Sequence, residues 1–223
     1  MYEFILASGS PRRQKLFGLV QTPFLVKPAD VDEAGKSGEG PEEYVKRLAR
    51  TKARAVGRDL AEVPSREMLI IAADTTVVYQ GEILGKPADS DEARDMLLQL
   101  QDKSHQVYSG LAVYHPGKDR MMSEVVETQV TLRTFEEDEL DAYIESEDPF
   151  DKAGAYAIQN DEFHPVRSYQ GCYANVMGLP LCRLEKMLKS FGASLSGDVP
   201  VQCQEQYNFD CHIPEKLLHQ EQY

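Results

Sequence analysis

Apolar and polar positions follow two distinct periods along this chain. Phe4 to Ala7 is a short apolar run that meets turn residues at once, the pattern of a buried strand. Gly9-Ser10-Pro11 follows, with Ser10 placed to cap a helix and Pro11 at its first position. That helix carries Leu16 and Phe17 and stops near Gly18. Phe24 to Val26 predicts a second short strand, and residues 28–40, rich in Gly, Pro and acids, a loop. From about Pro41 to about Asp59 the period becomes helical. At about 100° per residue, Val45, Leu48, Ala49 and Val56 form one stripe. Lys52 falls in the middle of it, and Lys46, Arg47, Arg50 and Arg54 lie off it.

Met68 to Ala72 predicts a buried strand ending at Ala73-Asp74-Thr75. Thr76 to Tyr79 and Glu82 to Leu84 flank Gln80-Gly81 as a hairpin. Asp89 and Glu92 have capping-box spacing before a helix carrying Met96, Leu97, Leu98 and Leu100. Gln106 to Tyr114 and about Glu124 to Arg133 alternate in period two around Pro116-Gly117, as long paired strands do. Thr134 and Glu137 are placed to cap a helix through Ile144, Ala155 to Ile158 reads as a strand, and Leu179 to Phe191 as a last helix. From Ser194 onward the chain is rich in Gln and acids and is expected to pack loosely or not at all. The order of elements predicts an α/β fold with a long antiparallel ribbon in its second half.

Composition narrows the function. The 223 residues are 42% hydrophobic and 27% charged, an ordinary globular balance suited to one domain, or one domain with two lobes. The 24 Lys and Arg against 37 Asp and Glu give a net charge of −13, which argues against a general binder of DNA, RNA or anionic lipid. A local basic site survives, because exposed charges more than about 8–10 Å apart are largely screened. No apolar run approaches the roughly 20 residues of a membrane-crossing helix, and Met1 to Ala7 lacks a basic leader. Cys172, Cys182, Cys203 and Cys211 form no C-x-x-C pair and no zinc spacing with His, so reduced thiols and a cytoplasmic location are expected.

Six stretches carry candidate chemistry. Ser8-Gly9-Ser10-Pro11-Arg12-Arg13 sits at a strand-to-helix turn, where free backbone N–H groups, two hydroxyls and two guanidiniums suit phosphate oxygens; the alternative is a capped helix with solvated arginines. Lys52 on an apolar stripe either reaches the helix edge or points into an anion-filled cleft. Asp74 at a strand end would hold a divalent metal, take a proton from water, or simply cap a turn. Asp30-Val31-Asp32-Glu33 clusters carboxylates suited to a hard cation, or is a solvated acidic loop. Gly85-Lys86-Pro87 presents a lysine on a rigid turn, and Lys152 through Gln159 ends in an amide able to read a base edge. Convergence of Arg12, Arg13, Lys52 and Lys86 with Asp74 and Glu33 would suit a polyphosphate bound with a metal.

These blocks together resemble the Maf family of nucleotide pyrophosphatases. The resemblance covers roughly residues 3–192 and rests on Ser8 to Arg13, Asp32-Glu33, Lys52-Ala53, Ala73-Asp74-Thr75, Gly85-Lys86-Pro87, Lys152-Ala153-Gly154 through Gln159, and Gly178-Leu179-Pro180. It implies a two-lobed, ITPase-like mixed sheet with flanking helices and a central cleft, formed by residues 1–193, with 194–223 as an extension of unassigned role. It implies hydrolysis of a nucleoside triphosphate to monophosphate and pyrophosphate with Mg²⁺ or Mn²⁺, a house-cleaning role, and often a homodimer. Pro11-Arg12-Arg13, Asp74-Thr75 and Gln159 resemble the branch acting on dTTP and UTP; a sister branch acting on 7-methyl-GTP typically carries a tryptophan before the paired arginines. On this reading Asp74 is the base, Glu33 and Asp74 are metal ligands, Ser8, Ser10, Arg12, Arg13, Lys52 and Lys86 bind the phosphates, Thr75 and Gln159 tune the choice of base, and Asp89 supports Lys86. A purine triphosphate pyrophosphatase and a non-enzymatic nucleotide-binding regulator of cell division are the alternatives. Residues 160–171 are longer and more polar than the family pattern suggests.

Overall fold

The computed structural model describes residues 2–61, 67–207, 209 and 211. Its strands are β1 (Glu3–Leu6), β2 (Phe24–Val26), β3 (Met68–Tyr79), β4 (Glu82–Leu84), β5 (Ser104–His115), β6 (Arg120–Leu132) and β7 (Val166–Gln170). They form a seven-stranded mixed sheet in the order β2-β1-β3-β5-β6-β7, with β4 paired to β3 alone. Its helices are α1 (Pro11–Gly18), α2 (Pro41–Asp59), α3 (Ser90–Leu100), α4 (Glu137–Glu145), α5 (Tyr173–Val176), α6 (Leu181–Ser190) and α7 (Val199–Tyr207). None of the described helices is long and apolar enough to cross a membrane.

β3 is one unbroken strand of 12 residues, so Asp74-Thr75 does not end it, as the sequence suggested. The polar pair lies at the strand's middle, yet it still meets an end. β1 pairs in parallel with β3 only as far as Leu6 opposite Ile71, and β4 joins the same edge at Val77. Between them, residues 72–76 have a neighbouring strand only on the β5 side. The open edge is therefore made by the carboxyl end of β1, where α/β sheets expose their ligand sites.

Alternation sorts the core into three clusters. Odd residues of β3 and β5 (Leu69, Ile71, Ala73; Leu111, Val113) pack with α1 and α6 in one cluster, and Val77 and Val107 pack with α3 and α4 in a second. Thr75 and Ser109, paired in register, interrupt that face between the two. Even residues Ile70, Ala72 and Ala112 lie under Ala49, Ala53 and Val56 of α2 in a third cluster. Gly110, opposite Asp74, lets the α2 backbone approach, because a Cβ there would stand 2.2 Å from the Val45 carbonyl oxygen.

Other local expectations change. Ala155 to Ile158 is not a strand. The backbone turns at Gly154 (φ 70°) and Ala155 (φ 62°), and the outer strand is β7, whose five residues are mostly polar. Glu136 and Glu139, not Thr134 and Glu137, make the capping box of α4. The last core helix starts at Leu181. Residues 195–207 do not hang free: α7 buries Val199 and Cys203 in the first cluster, and the Gly197 N–H donates to the Val20 carbonyl. Residues 208, 210 and 212–223 of the expected extension lie outside the described residues.

Candidate active site

A cleft of about 560 Å³ opens along the exposed edge of β3. Ser8, Ser10, Arg12, Arg13, Glu33, Lys52, Asp74, Thr75, Lys86 and Gln159 all line it, so ten candidate residues from distant stretches of the chain reach one space.

Asp74 and Thr75 point to opposite faces of β3, and each is met by a cation from a different helix. On the α2 face, the buried Lys52 ammonium lies 2.6 Å from Asp74 Oδ1 and 2.6 Å from Glu33 Oε1. Lys52 thus points into the cleft and is matched by carboxylates, which removes the cost of a lone charge on a buried stripe. Burial pushes the Glu33 carboxyl up, but the hydrogen bond and charge of Lys52, helped by Lys86 and Arg13, outweigh it and hold the group below the usual carboxylate range. The loop bearing Glu33 is tied to α2, since Tyr44 donates to the Glu33 carbonyl at 3.0 Å and Arg47 to the Ala34 carbonyl at 3.0 Å. Of the acidic cluster in that loop, Glu33 alone reaches Lys52. Asp32 is exposed and accepts from the Ala34 N–H.

On the other face, Arg13 donates from Nη2 to Thr75 Oγ1 (3.1 Å), from Nη1 to Ser8 Oγ (3.3 Å) and from Nε to the Gly178 carbonyl (2.9 Å). All three acceptors are neutral, so the guanidinium is oriented without its charge being cancelled in direct contact. Burial lowers its pKa from the ordinary arginine value, and the Asp74 charge opposes that shift. Gly178 has φ 103°, and a Cβ there would press on Arg13 and Thr75 at 3.1 Å. Thr75 also shares a hydrogen bond of 2.7 Å with Ser109, whose hydroxyl donates to the buried Asn175 carbonyl. Ser10 accepts weakly from the Arg13 N–H at 3.5 Å, capping α1 at the cleft wall.

Arg12 takes a different environment. Its Nη1 donates to Asp151 Oδ2 at 2.8 Å, and Asp151 is held in turn by Lys152 at 2.6 Å. Lys152 opens the stretch that the sequence singles out as far as Gln159, but with no role assigned to it, and neither Asp148 nor Asp151 is marked by the sequence. Lys86 and Gln159 reach the cleft from the two turns that the Gly154 N–H ties together through the Gly85 carbonyl, at 3.0 Å. Asp89, expected to support Lys86, caps α3 by accepting from the Glu92 N–H.

The cleft is lined by more cations than anions: Arg12, Arg13, Lys52, Lys86 and Lys152 against Glu33, Asp74 and Asp151. Lys52 is paired with Asp74 and Glu33, and Arg12 and Lys152 with Asp151. Glu33 and Asp74 are two hard oxygen donors gathered on one ammonium, and the described residues hold no group of three or more metal-ligating side chains. That donor set fits Mg²⁺ or Mn²⁺, which need one or two carboxylates when substrate phosphates and water complete the shell.

This chain is similar to known proteins along most of its length. The family model described as "Maf-like protein" matches residues 3–191. The dTTP/UTP pyrophosphatase of Geotalea uraniireducens (strain Rf4) is 46% identical over 189 residues, 85% of this chain and 95% of that protein. Those of Syntrophus aciditrophicus (42%, over 88% of this chain and 94% of theirs) and Halalkalibacterium halodurans (43%, over 87% and 98%) are similarly related. Among solved structures, the Staphylococcus aureus Ham1 protein aligns with 59% of this chain and 71% of its own, at 18% identity and a TM-score of 0.40.

Proposed function

The chain belongs to the Maf family, and from that premise we propose that its cleft hydrolyses dTTP, UTP and related modified pyrimidine triphosphates to the monophosphate and pyrophosphate, in the cytoplasm, as nucleotide-pool house-cleaning. The observation that carries this reading is a cleft lined by five cations and three carboxylates in a protein of net charge −13. A triphosphate is drawn to that local excess of positive charge. Four cysteines carried as free thiols suit a reducing compartment.

In the proposed reaction a water oxygen attacks the α-phosphorus, the bond from that phosphorus to the α,β-bridging oxygen breaks, and pyrophosphate leaves with the bonding pair. Asp74 takes the water's proton. Lys52 holds the Asp74 carboxylate at the cleft and, with Arg13 and Lys86, offsets charge that grows on the phosphate oxygens. Ser8 and Ser10 add hydrogen-bonding groups for the phosphates, and Thr75 and Gln159 tune the choice of base. Glu33 and Asp74 would hold Mg²⁺ or Mn²⁺, which when bound supplies positive charge to the phosphates.

The test is a panel of dTTP, UTP, 7-methyl-GTP and ITP with pyrophosphate detection, with and without Mg²⁺. Pyrimidine turnover that needs the metal is expected. Turnover of ITP or 7-methyl-GTP alone, or nucleotide binding without pyrophosphate release, would refute the reading. Asp74→Asn should lose about a hundredfold or more in kcat while its melting temperature stays near wild type; near-normal turnover would remove Asp74 from the role.

A further inference from the structure

The proposed reaction leaves the polar cluster behind Arg12 unused, and that cluster is built with care. Lys152 is buried, and its ammonium donates to the Asp148 carbonyl, to Asp148 Oδ1 at 2.8 Å and to Asp151 Oδ1 at 2.6 Å. Asp148 is itself held by the Tyr143 hydroxyl (3.0 Å) and by Asn160 Nδ2 (3.1 Å). Asp151 turns its other carboxylate oxygen to Arg12 Nη1 at 2.8 Å, and its backbone carbonyl accepts from Arg12 Nη2 at 3.3 Å. The chain that carries these groups continues into Gly154 and Ala155, both left-handed; for alanine that conformation costs about 1–3 kcal/mol and must be held by its surroundings.

A solvated ion pair at a cleft mouth is ordinarily loose and contributes little. This one differs in two respects. The carboxylate is fixed from behind by a buried ammonium, and Asp151 meets two guanidinium nitrogens, one through its carboxylate and one through its backbone carbonyl, which sets direction as well as distance. Burying Lys152 against two acids is a poor way to gain stability, because desolvation of the charges offsets their attraction. It is an effective way to hold one carboxylate oxygen in place.

We propose that Asp151 is a positioning residue for Arg12: anchored by Lys152, it aims the Arg12 guanidinium into the cleft and so sets the affinity for the nucleotide rather than the rate of the chemical step. The inference rests on the proposed function, because it takes the ligand of the cleft to be a nucleoside triphosphate.

A double-mutant cycle tests it, with dTTP and Mg²⁺ on the full chain. Asp151→Asn should raise KM about threefold to tenfold and leave kcat within about twofold. Arg12→Met should raise KM at least as much, and Arg12→Met with Asp151→Asn should be no worse than Arg12→Met alone. Additive rises in KM, or a fall in kcat with KM unchanged, would overturn the proposal. If Asp151→Asn melts much earlier than wild type, Asp151→Glu carries the same test, since it keeps the charge but displaces Arg12 by one methylene. Wild-type protein that binds dTTP without releasing pyrophosphate would defeat the proposed function alone, and the cycle is then read from dissociation constants by calorimetry. No binding of dTTP or UTP would defeat both.

Discussion

The contact between α2 and β5 at Gly110 gives a sharp prediction. A methyl group added there would stand 2.2 Å from the Val45 carbonyl oxygen and 2.8 Å from the Lys46 nitrogen. Ordinary contact begins at 3.4 Å, so the helix must withdraw by roughly 1.2 Å. Both obstacles are helix backbone and cannot swing aside as a side-chain tip would. Lys52 rides on the same helix and joins Asp74 and Glu33 by contacts of 2.6 Å each, so the withdrawal stretches or breaks those contacts. Gly110→Ala should cost about 1–3 kcal/mol in stability, the usual range for overpacking, which for a chain of this size lowers Tm by roughly 3–10 °C. It should also reduce kcat for dTTP by about tenfold to a hundredfold, the scale of an ångström's misplacement at a reacting centre. Calorimetry and a pyrophosphate-release assay measure the two effects. Gly18→Ala, where an added methyl meets nothing within 4 Å, is the control. A Gly110→Ala protein that melts within about 1 °C of wild type and turns over normally would refute the reasoning.

Two further predictions concern stability. His105 is fully buried, shares a hydrogen bond of 2.8 Å with the Tyr156 hydroxyl, and has its pKa pushed down to about 4 by burial. Between about pH 6.5 and 4 the unfolded chain binds a proton that the native state refuses, so stability falls as pH drops through that window, by up to about 3 kcal/mol. His105→Gln should flatten this part of a Tm-against-pH curve, and an unchanged slope would exonerate His105. Val199 is buried in the first cluster, so Val199→Asp should cost at least about 3 kcal/mol; a melting temperature equal to wild type would mean that α7 contributes no packing.

Periodicity made α1, α2 and the β5–β6 ribbon legible, because each buries one face and exposes the other. It failed where local chemistry and tertiary setting disagree. Asp74-Thr75 reads as a turn because polar residues seldom sit inside a buried strand, and only the missing neighbour on one edge makes room for them. Ala155 to Ile158 is apolar enough for a strand, but the left-handed backbone before it forbids one. β7, an outer strand of mixed polarity, and α7, whose buried positions are few, leave almost no periodic trace. The lining of the cleft was legible because Arg12, Arg13 and Lys86 sit beside Gly, Pro and Ser at turns, and because Lys52 and Asp74 interrupt apolar runs. Its supports were not. Tyr44, Ser109, Asn175, Asp148 and Asp151 act through contacts that no spacing announces, and Lys152 and Gly178 stand in blocks that resemble the family without a role being assigned to them.

β3 and β5 run without a break from one hydrophobic cluster to the next, with Asp74 and Thr75 at mid-span. They are mounted on a beam clamped at both ends, which cannot flex at its centre without unpacking one of them. The flanking loops are held instead by isolated hydrogen bonds, such as Tyr44 to the Glu33 carbonyl and the Gly154 N–H to the Gly85 carbonyl. Substitutions there can reshape the rim of the cleft while the Asp74 carboxylate stays put, so the rim and the centre can change independently.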